Sequence, residues 1–328
     1  MPLIHIVVSN YQGAFAGLNT APAEKTLRCR KLDLYRSIIT VGNPSFLTWQ
    51  SIRQFGLARA LYDSIFEKVA LVATNIDSDL AGMRRHQIFE TYVSDKRRIV
   101  SYNLGMAFAK FYSEKLLSIP NLIHIEFLKK NGAVTFTPQP GNKRPREPDL
   151  VGQTPNGNWH VVEAKGVSTS ESQLAGKIVD AKLQVQQIAT VHGVPPTTGN
   201  ACATYIGADR IFTLLEDPPM SDGKRVELDR EKFYDAYYAP FLLAESGLQA
   251  RRRKERIDGL EVDFFDLERA SRKIRIGLDS EIAEQVREKR YNFSQSINQR
   301  LREYSSIDRA PDRYSIGLDG FVVGYTDH

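Results

Sequence analysis

The chain has 328 residues, 42% hydrophobic and 25% charged, the profile of a soluble globular protein of one large or two smaller domains. No apolar run approaches the ~18–20 residues of a membrane span, and the six His and two Cys never cluster at zinc-ligand spacing, which argues against a membrane span and a structural zinc site. A net charge of +5 permits a polyanionic partner without requiring one.

Taken in order, residues 4–8 (Ile-His-Ile-Val-Val) read as a short strand and 37–41 as another. Asn43-Pro44 has the form of an N-cap followed by proline at the first helical position, which predicts a helix over about 46–66. Residues 68–73 read as a buried strand. The segment 1–90 is therefore expected to be an N-terminal α/β portion. No signal peptide is predicted, because the first residues lack a basic stretch followed by a long apolar core. Two isolated cysteines, Cys29 and Cys202, fit a reducing compartment, and the expected location is cytoplasmic.

A helix is predicted over about 96–118, ending at Ile119-Pro120, since the residue before proline disfavours helix; Glu114, late in it, is expected to be solvated. Residues 122–128 read as a strand, Asn131-Gly132 as a turn and 133–137 as the returning strand. A Pro-rich loop carrying Lys143, Arg144 and Arg146 then leads to Asp149. Thr154-Pro155-Asn156-Gly157-Asn158 is a turn by composition, and 159–165 a strand free of breakers until Gly166. A helix over about 173–191 carries an apolar stripe from Leu174 to Ile188, and Gly193 follows it; 201–206 is the next strand.

Beyond 217 the composition shifts to loops and basic helices. A helix over 231–256, interrupted near Pro240, and a long one over about 280–304 make this a mostly helical extension, closed by a hairpin of 314–318 and 321–325 around Asp319-Gly320. Tyr234, Tyr237 and Tyr238 are expected to serve a core or interface.

The chemistry concentrates in Pro148-Asp149 and Glu163-Ala164-Lys165. Alternation places Glu163 and Lys165 on one strand face, their Cα atoms about 7 Å apart. If the 154–158 turn closes a hairpin, Asp149 comes beside Glu163. Two carboxylates suit Mg²⁺, which takes hard oxygens and completes its shell with water and phosphate, while a lysine can position or deprotonate the water or stabilise the phosphoryl charge.

Pro148-Asp149 with Glu163-x-Lys165 resembles the motif of the PD-(D/E)XK nuclease superfamily, and the order of elements from Lys96 to Ile206, helix, three strand segments, helix, strand, resembles its αβββαβ core. The resemblance covers about a third of the chain. It implies a restriction-endonuclease-like α/β fold with a central mixed sheet holding Phe127, Val162 and Tyr205. The nuclease-like core would be residues 91–217, between the N-terminal portion and the basic 218–328 extension. It implies Asp149, Glu163 and Lys165 as catalytic residues, with Asp149 and Glu163 as ligands of Mg²⁺ (Mn²⁺ as a substitute). Gln184 best resembles the polar residue that the second core helix turns to the site in such proteins, with Lys182 and Gln187 as alternatives; Lys182 is also a candidate contact to nucleic acid.

The expected activity is hydrolysis of DNA phosphodiester bonds, with RNA open as a substrate, by an endonuclease in restriction or anti-phage defence. It would act as a homo-oligomer or beside a partner defence subunit. A catalytically silent nucleic-acid-binding or assembly subunit on the same fold is the alternative. Of the basic clusters Lys129-Lys130, Lys143-Arg144-Arg146, Arg251–Arg256 and Arg269-Arg272-Lys273-Arg275, the Lys143–Arg146 loop is the expected contact to nucleic acid, because it adjoins Asp149.

Overall fold

The computed structural model describes residues 2–41, 56–137, 147–220, 223–247, 253–269, 272–305 and 313–325. The first part contains β1 (Leu3–Ser9), β2 (Lys25–Arg28), α1 (Lys31–Thr40), α2 (Leu57–Asn75), β3 (Ile76–Asp79) and β4 (Gly82–Arg85). The middle contains α3 (Ser94–Leu117), β5 (Asn121–His124), α4 (Ile125–Lys130), β6 (Val134–Thr137), β7 (Leu150–Gln153), β8 (Trp159–Val167), α5 (Leu174–Val185), β9 (Ile188–Val191), β10 (Thr198–Ile206) and β11 (Ile211–Glu216). The last part contains β12 (Lys224–Leu228), α6 (Arg230–Gly247), β13 (Arg253–Ile257), β14 (Leu260–Arg269), β15 (Arg272–Asp279), α7 (Ser280–Arg287), α8 (Gln295–Tyr304), β16 (Tyr314–Ile316) and β17 (Phe321–Tyr325).

The protein is α/β, built on a seven-stranded mixed sheet in the order β2-β1-β11-β10-β8-β7-β5. Strands β5, β7 and β8 form an antiparallel meander, and β10 joins β8 in parallel. Strand β8 is an interior strand buried from His160 to Ala164, which suits its β-branched and apolar residues. Helices α3 and α5 cover opposite faces of it. A Cβ added at Gly166 would sit 1.7 Å from the carbonyl oxygen of Ser101 on α3. Gly199, paired with Val161 on the other face, lies against Val185 of α5. Gly105 of α3 meets the backbone of Gly166 in the same way, so paired glycines let the helix approach the strand at backbone distance.

Several expectations are corrected. Of residues 37–41, the first four belong to α1 and Val41 is its C-cap; Ser37 and Thr40 turn their hydroxyls back to the carbonyls of Asp33 and Arg36, and every residue from Leu32 to Thr40 is buried, so tertiary burial overrides their β-propensity. Residues 68–73 lie inside α2, a buried apolar run that periodicity alone does not separate from a strand. The helix expected over 46–66 falls partly outside the described residues, with α2 opening at Leu57. The strand expected over 122–128 stops at His124, whose ring caps α4 by accepting the Glu126 N–H. Phe127 is therefore helical and not in the sheet that Val162 and Tyr205 share.

Strand β6 pairs with β12 in a separate three-stranded sheet, so β7 takes the middle place in the central meander. The helix expected over 173–191 ends at Val185, and Ile188–Val191 joins β12 instead. The 218–328 segment is not mostly helical: it holds the five-stranded antiparallel sheet β13-β14-β15-β17-β16. Its Asp258-Gly259 turn, with φ of 49° and 99°, is a hairpin signal equal to the Asp319-Gly320 one. Helix α6 continues through Pro240 to Gly247, and the helix expected over 280–304 divides into α7 and α8, with Ser294 capping the second. The hairpin around Asp319-Gly320 forms as expected, and Tyr234, Tyr237 and Tyr238 are core residues. No helix among the described residues is long and apolar enough to cross a membrane.

Candidate functional site

The 154–158 turn closes the β7–β8 hairpin: Thr154 N–H donates to Asn158 O at 2.9 Å, and Gly157 takes φ of 85°. The register pairs Leu150 with Val162 and leaves Asp149, one residue before β7, beside Glu163. Asp149 N–H donates to Glu163 Oε2 at 2.7 Å, and Ala164 N–H donates to Asp149 Oδ2 at 3.3 Å. Lys165 Nζ donates to Glu163 Oε1. The two carboxylates and the ammonium that the motif named thus occupy one patch of sheet.

Their exposures differ in a way that bears on chemistry. The Glu163 side chain is 0% exposed, whereas Asp149 and Lys165 are each partly open to solvent. Burial, and then the neighbouring Asp149 charge, push the Glu163 carboxyl up to about 8. The Lys165 ammonium works in the opposite direction and does not outweigh them. The donor set, two hard carboxylates whose mutual repulsion a cation would relieve, fits a Mg²⁺ ion that completes its shell with water and phosphate. No cluster of three or more His, Cys, Asp or Glu side chains able to hold a metal occurs among the described residues.

Two further residues at the site carried no signal in the motif. His124 ends β5 opposite Leu150, with Nε2 4.0 Å from Asp149 Oδ1 and 3.0 Å from Tyr102 Oη. Its Nδ1 accepts the Glu126 N–H at 3.2 Å, which assigns the proton of the neutral ring to Nε2. Burial lowers the His124 pKa and so favours that neutral form. Tyr102, on α3, then accepts from His124 and keeps its own hydroxyl hydrogen for another partner. Burial, Asp149 and Glu163 all raise its pKa, so the hydroxyl stays protonated. Extending the 122–128 strand through residue 128 hid this arrangement, because it gave His124 no terminal position.

The remaining candidates fall elsewhere. Gln184 lies in the last turn of α5, half-buried, with its amide directed to Asp180 O at 3.5 Å on the same helix. Lys182 is ion-paired to Glu216 Oε2 at 2.9 Å, on the β11 side of α5. Lys143, Arg144 and Arg146, like Arg251 and Arg252, lie outside the described residues. Arg275 is buried between Glu255 and Asp266, so it braces the C-terminal sheet instead of offering a free charge. Lys129 is paired with Glu147.

Glu114 is not solvated. It accepts from Arg36 at 2.7 Å, from Leu318 N–H at 2.8 Å and from Lys110 at 3.3 Å, and Lys110 in turn faces Asp319 at 3.4 Å. This network ties α1 and α3 to the β16–β17 turn. Twelve residues beyond Tyr102 along α3, at about 1.5 Å per residue, Glu114 is about 18 Å down the helix from the Asp149 patch. No protein-family model, curated protein or solved structure matches the chain.

Proposed function

We propose that the protein is a Mg²⁺-dependent nuclease that hydrolyses DNA phosphodiester bonds, cutting internally, and that its setting is restriction or anti-phage defence. The observation that carries this reading is the meeting of Asp149, Glu163 and Lys165 at the β7–β8 hairpin. The surrounding order supports it: with α4, β6 and β9 set aside as insertions, α3, the β5-β7-β8 meander, α5 and then β10 parallel to β8 resemble the αβββαβ order of restriction-endonuclease-like proteins.

In this reading Asp149 and Glu163 hold the ion, with Mn²⁺ as a substitute. Bound there, the ion would acidify a water and offset phosphate charge. Lys165 places its ammonium where negative charge grows on the phosphoryl oxygens, and its contact with Glu163 keeps it from swinging into solvent. The backbone N–H groups of Asp149 and Ala164 fix the two carboxylates, so they need little reorganisation when substrate arrives. The competing reading, a silent nucleic-acid-binding subunit, leaves Glu163 without a purpose. A wholly buried carboxyl beside a second carboxylate opposes folding, and nothing in binding alone requires it.

The test is incubation of the full chain with linear and covalently closed circular DNA, with Mg²⁺ or with EDTA, beside Lys165→Ala. Opening of the circle that needs Mg²⁺, and a rate loss of about 10²–10³-fold in the variant with DNA binding retained, is the expected result. Binding without cleavage under every condition would favour the silent subunit. A Lys165→Ala protein that cuts like the wild type would remove the catalytic assignment.

A further inference from the structure

Just past Lys165, at the carboxyl end of β8, the surface opens into a cleft of about 560 Å³. Its volume lies within the ~300–1,000 Å³ of ligand sites. Its walls, though, are cationic and hydroxylic: Arg97 and Arg98 come from the start of α3, Lys177 from α5, and Ser101, Ser168 and Thr169 add hydroxyls. No carboxylate is among its described lining residues. The backbone of Gly166 lines it as well, so the cleft is continuous with the strand that carries Glu163 and Lys165.

The three cations are available. Arg97 donates to the carbonyls of Tyr92 at 2.9 Å and Glu90 at 2.7 Å, which aims its guanidinium, and the exposed Glu90 carboxylate lies 3.8 Å from it. The Arg98 side chain is 81% exposed, and its nearest acid, Asp95, is 3.8 Å away and equally exposed. Lys177 stands 4.0 Å from an exposed Asp180. Solvent screens all three pairs, so a ligand phosphate can replace them at small cost. The glycine contact between α3 and β8 is what brings the first turns of α3 and α5 within one cleft.

We propose that this cleft binds the phosphodiester backbone of the nucleic-acid strand on one side of the scissile bond. The identity of the polyanion rests on the nuclease reading, while the position of the binding surface rests on the cleft itself. The site differs from the Lys143–Arg146 loop, which precedes Asp149, and from Lys182, which Glu216 occupies.

The experiment uses the full chain carrying Lys165→Ala, so that a fluorescein-labelled DNA duplex stays intact, and compares it with the same chain bearing Arg98→Gln and Lys177→Gln. Affinity is read as a function of salt. Two lost phosphate contacts should flatten the slope of log K against log salt by about 1.8 and weaken binding about tenfold or more near ~0.1 M salt. Arg98→Glu with Lys177→Glu should weaken it further. Matched thermal unfolding midpoints show that the variants are folded. With Lys165 intact, the glutamine pair should raise KM while kcat stays within about twofold. Unchanged slope and affinity in both double variants, with the parent binding normally, overturns the cleft and leaves the nuclease reading in place. A parent chain that binds no nucleic acid overturns the nuclease reading first and the occupant of the cleft with it.

Discussion

Replacing Glu163 with glutamine should remove the pH dependence of stability that this residue gives the metal-free protein. Folding moves the carboxyl from its ordinary 4.5 up to about 8, first through burial and then through Asp149. Between those values the native state keeps a proton that the unfolded chain has released, so stability falls as pH rises through that window. Below the lower value the contribution is fully present; above the upper it is gone. At about 1.4 kcal/mol per pH unit, raising the pH from about 5 to about 8.5 costs the wild type about 4 kcal/mol from this group alone. Glutamine does not ionise, so Glu163→Gln lacks that loss. It also has one acceptor oxygen where Glu163 offers two, to Lys165 and to Asp149 N–H, and losing one buried partner costs about 1–3 kcal/mol at any pH. The variant should therefore be no more stable than wild type near pH ~5 and more stable near pH ~8.5. Urea unfolding in EDTA at the two pH values measures this. A stability difference between variant and wild type that stays flat across the window would show that Glu163 does not titrate as a buried carboxyl opposed by Asp149.

Three more predictions follow from the same contacts. Gly166→Ala places a methyl 1.7 Å from Ser101 O, and prising α3 off β8 should cost more than about 3 kcal/mol, so a urea midpoint near wild type would refute the close packing. Glu114→Ala should destabilise by about 3–5 kcal/mol because it leaves Arg36 and Lys110 buried without their shared partner, and a shift in thermal unfolding below about 1 kcal/mol would show the network to be dispensable. Tyr102→Phe keeps the ring and removes the hydroxyl beside His124; kcat should fall about tenfold with KM and DNA affinity unchanged, and an unaltered kcat would exclude the hydroxyl from the reaction.

The candidate site was legible where local signals sufficed. The Pro-Asn-Gly composition of the 154–158 turn fixes the β7–β8 register, and that register brings Asp149 to Glu163 from sequence alone. Strand β8 and helix α3 were legible for the same reason, since each has a strong pattern bounded by a breaker. What stayed hidden depended on partners distant in the chain. Residues 37–41 look like a strand until the burial of α1 on all sides is known, and β6 looks like the second meander strand until β12, some ninety residues later, claims it. The charges at Arg253–Arg256 and Arg272–Arg275 read as basic clusters because one-dimensional spacing does not show that cross-strand Glu255 and Asp266 lie against Arg275. His124 was missed because its role comes from a strand end, and strand ends are the least determined feature of a pattern.

Two buried glutamates in this protein, Glu114 and Glu163, make a comparison that bears on the proposed metal site. Their side chains are 6% and 0% exposed, so desolvation opposes both charges. Yet Glu114 is held down to about 2 and Glu163 is pushed up to about 8. The difference lies in the neighbours. Glu114 has two cations, Arg36 and Lys110, and a backbone N–H from Leu318. Glu163 has one cation, Lys165, one backbone N–H, and a second carboxylate. Where the protein uses a buried carboxylate to join α1, α3 and the C-terminal turn, it supplies enough positive charge within the chain. At the β7–β8 hairpin it stops short by about one cation and accepts the loss in stability. Local conflicts of that kind are tolerated at functional sites, because a ligand resolves them. A divalent ion between Asp149 and Glu163 would supply the missing charge, and it would do so beside a lysine and a cleft lined by Arg97, Arg98 and Lys177, where a phosphodiester would lie.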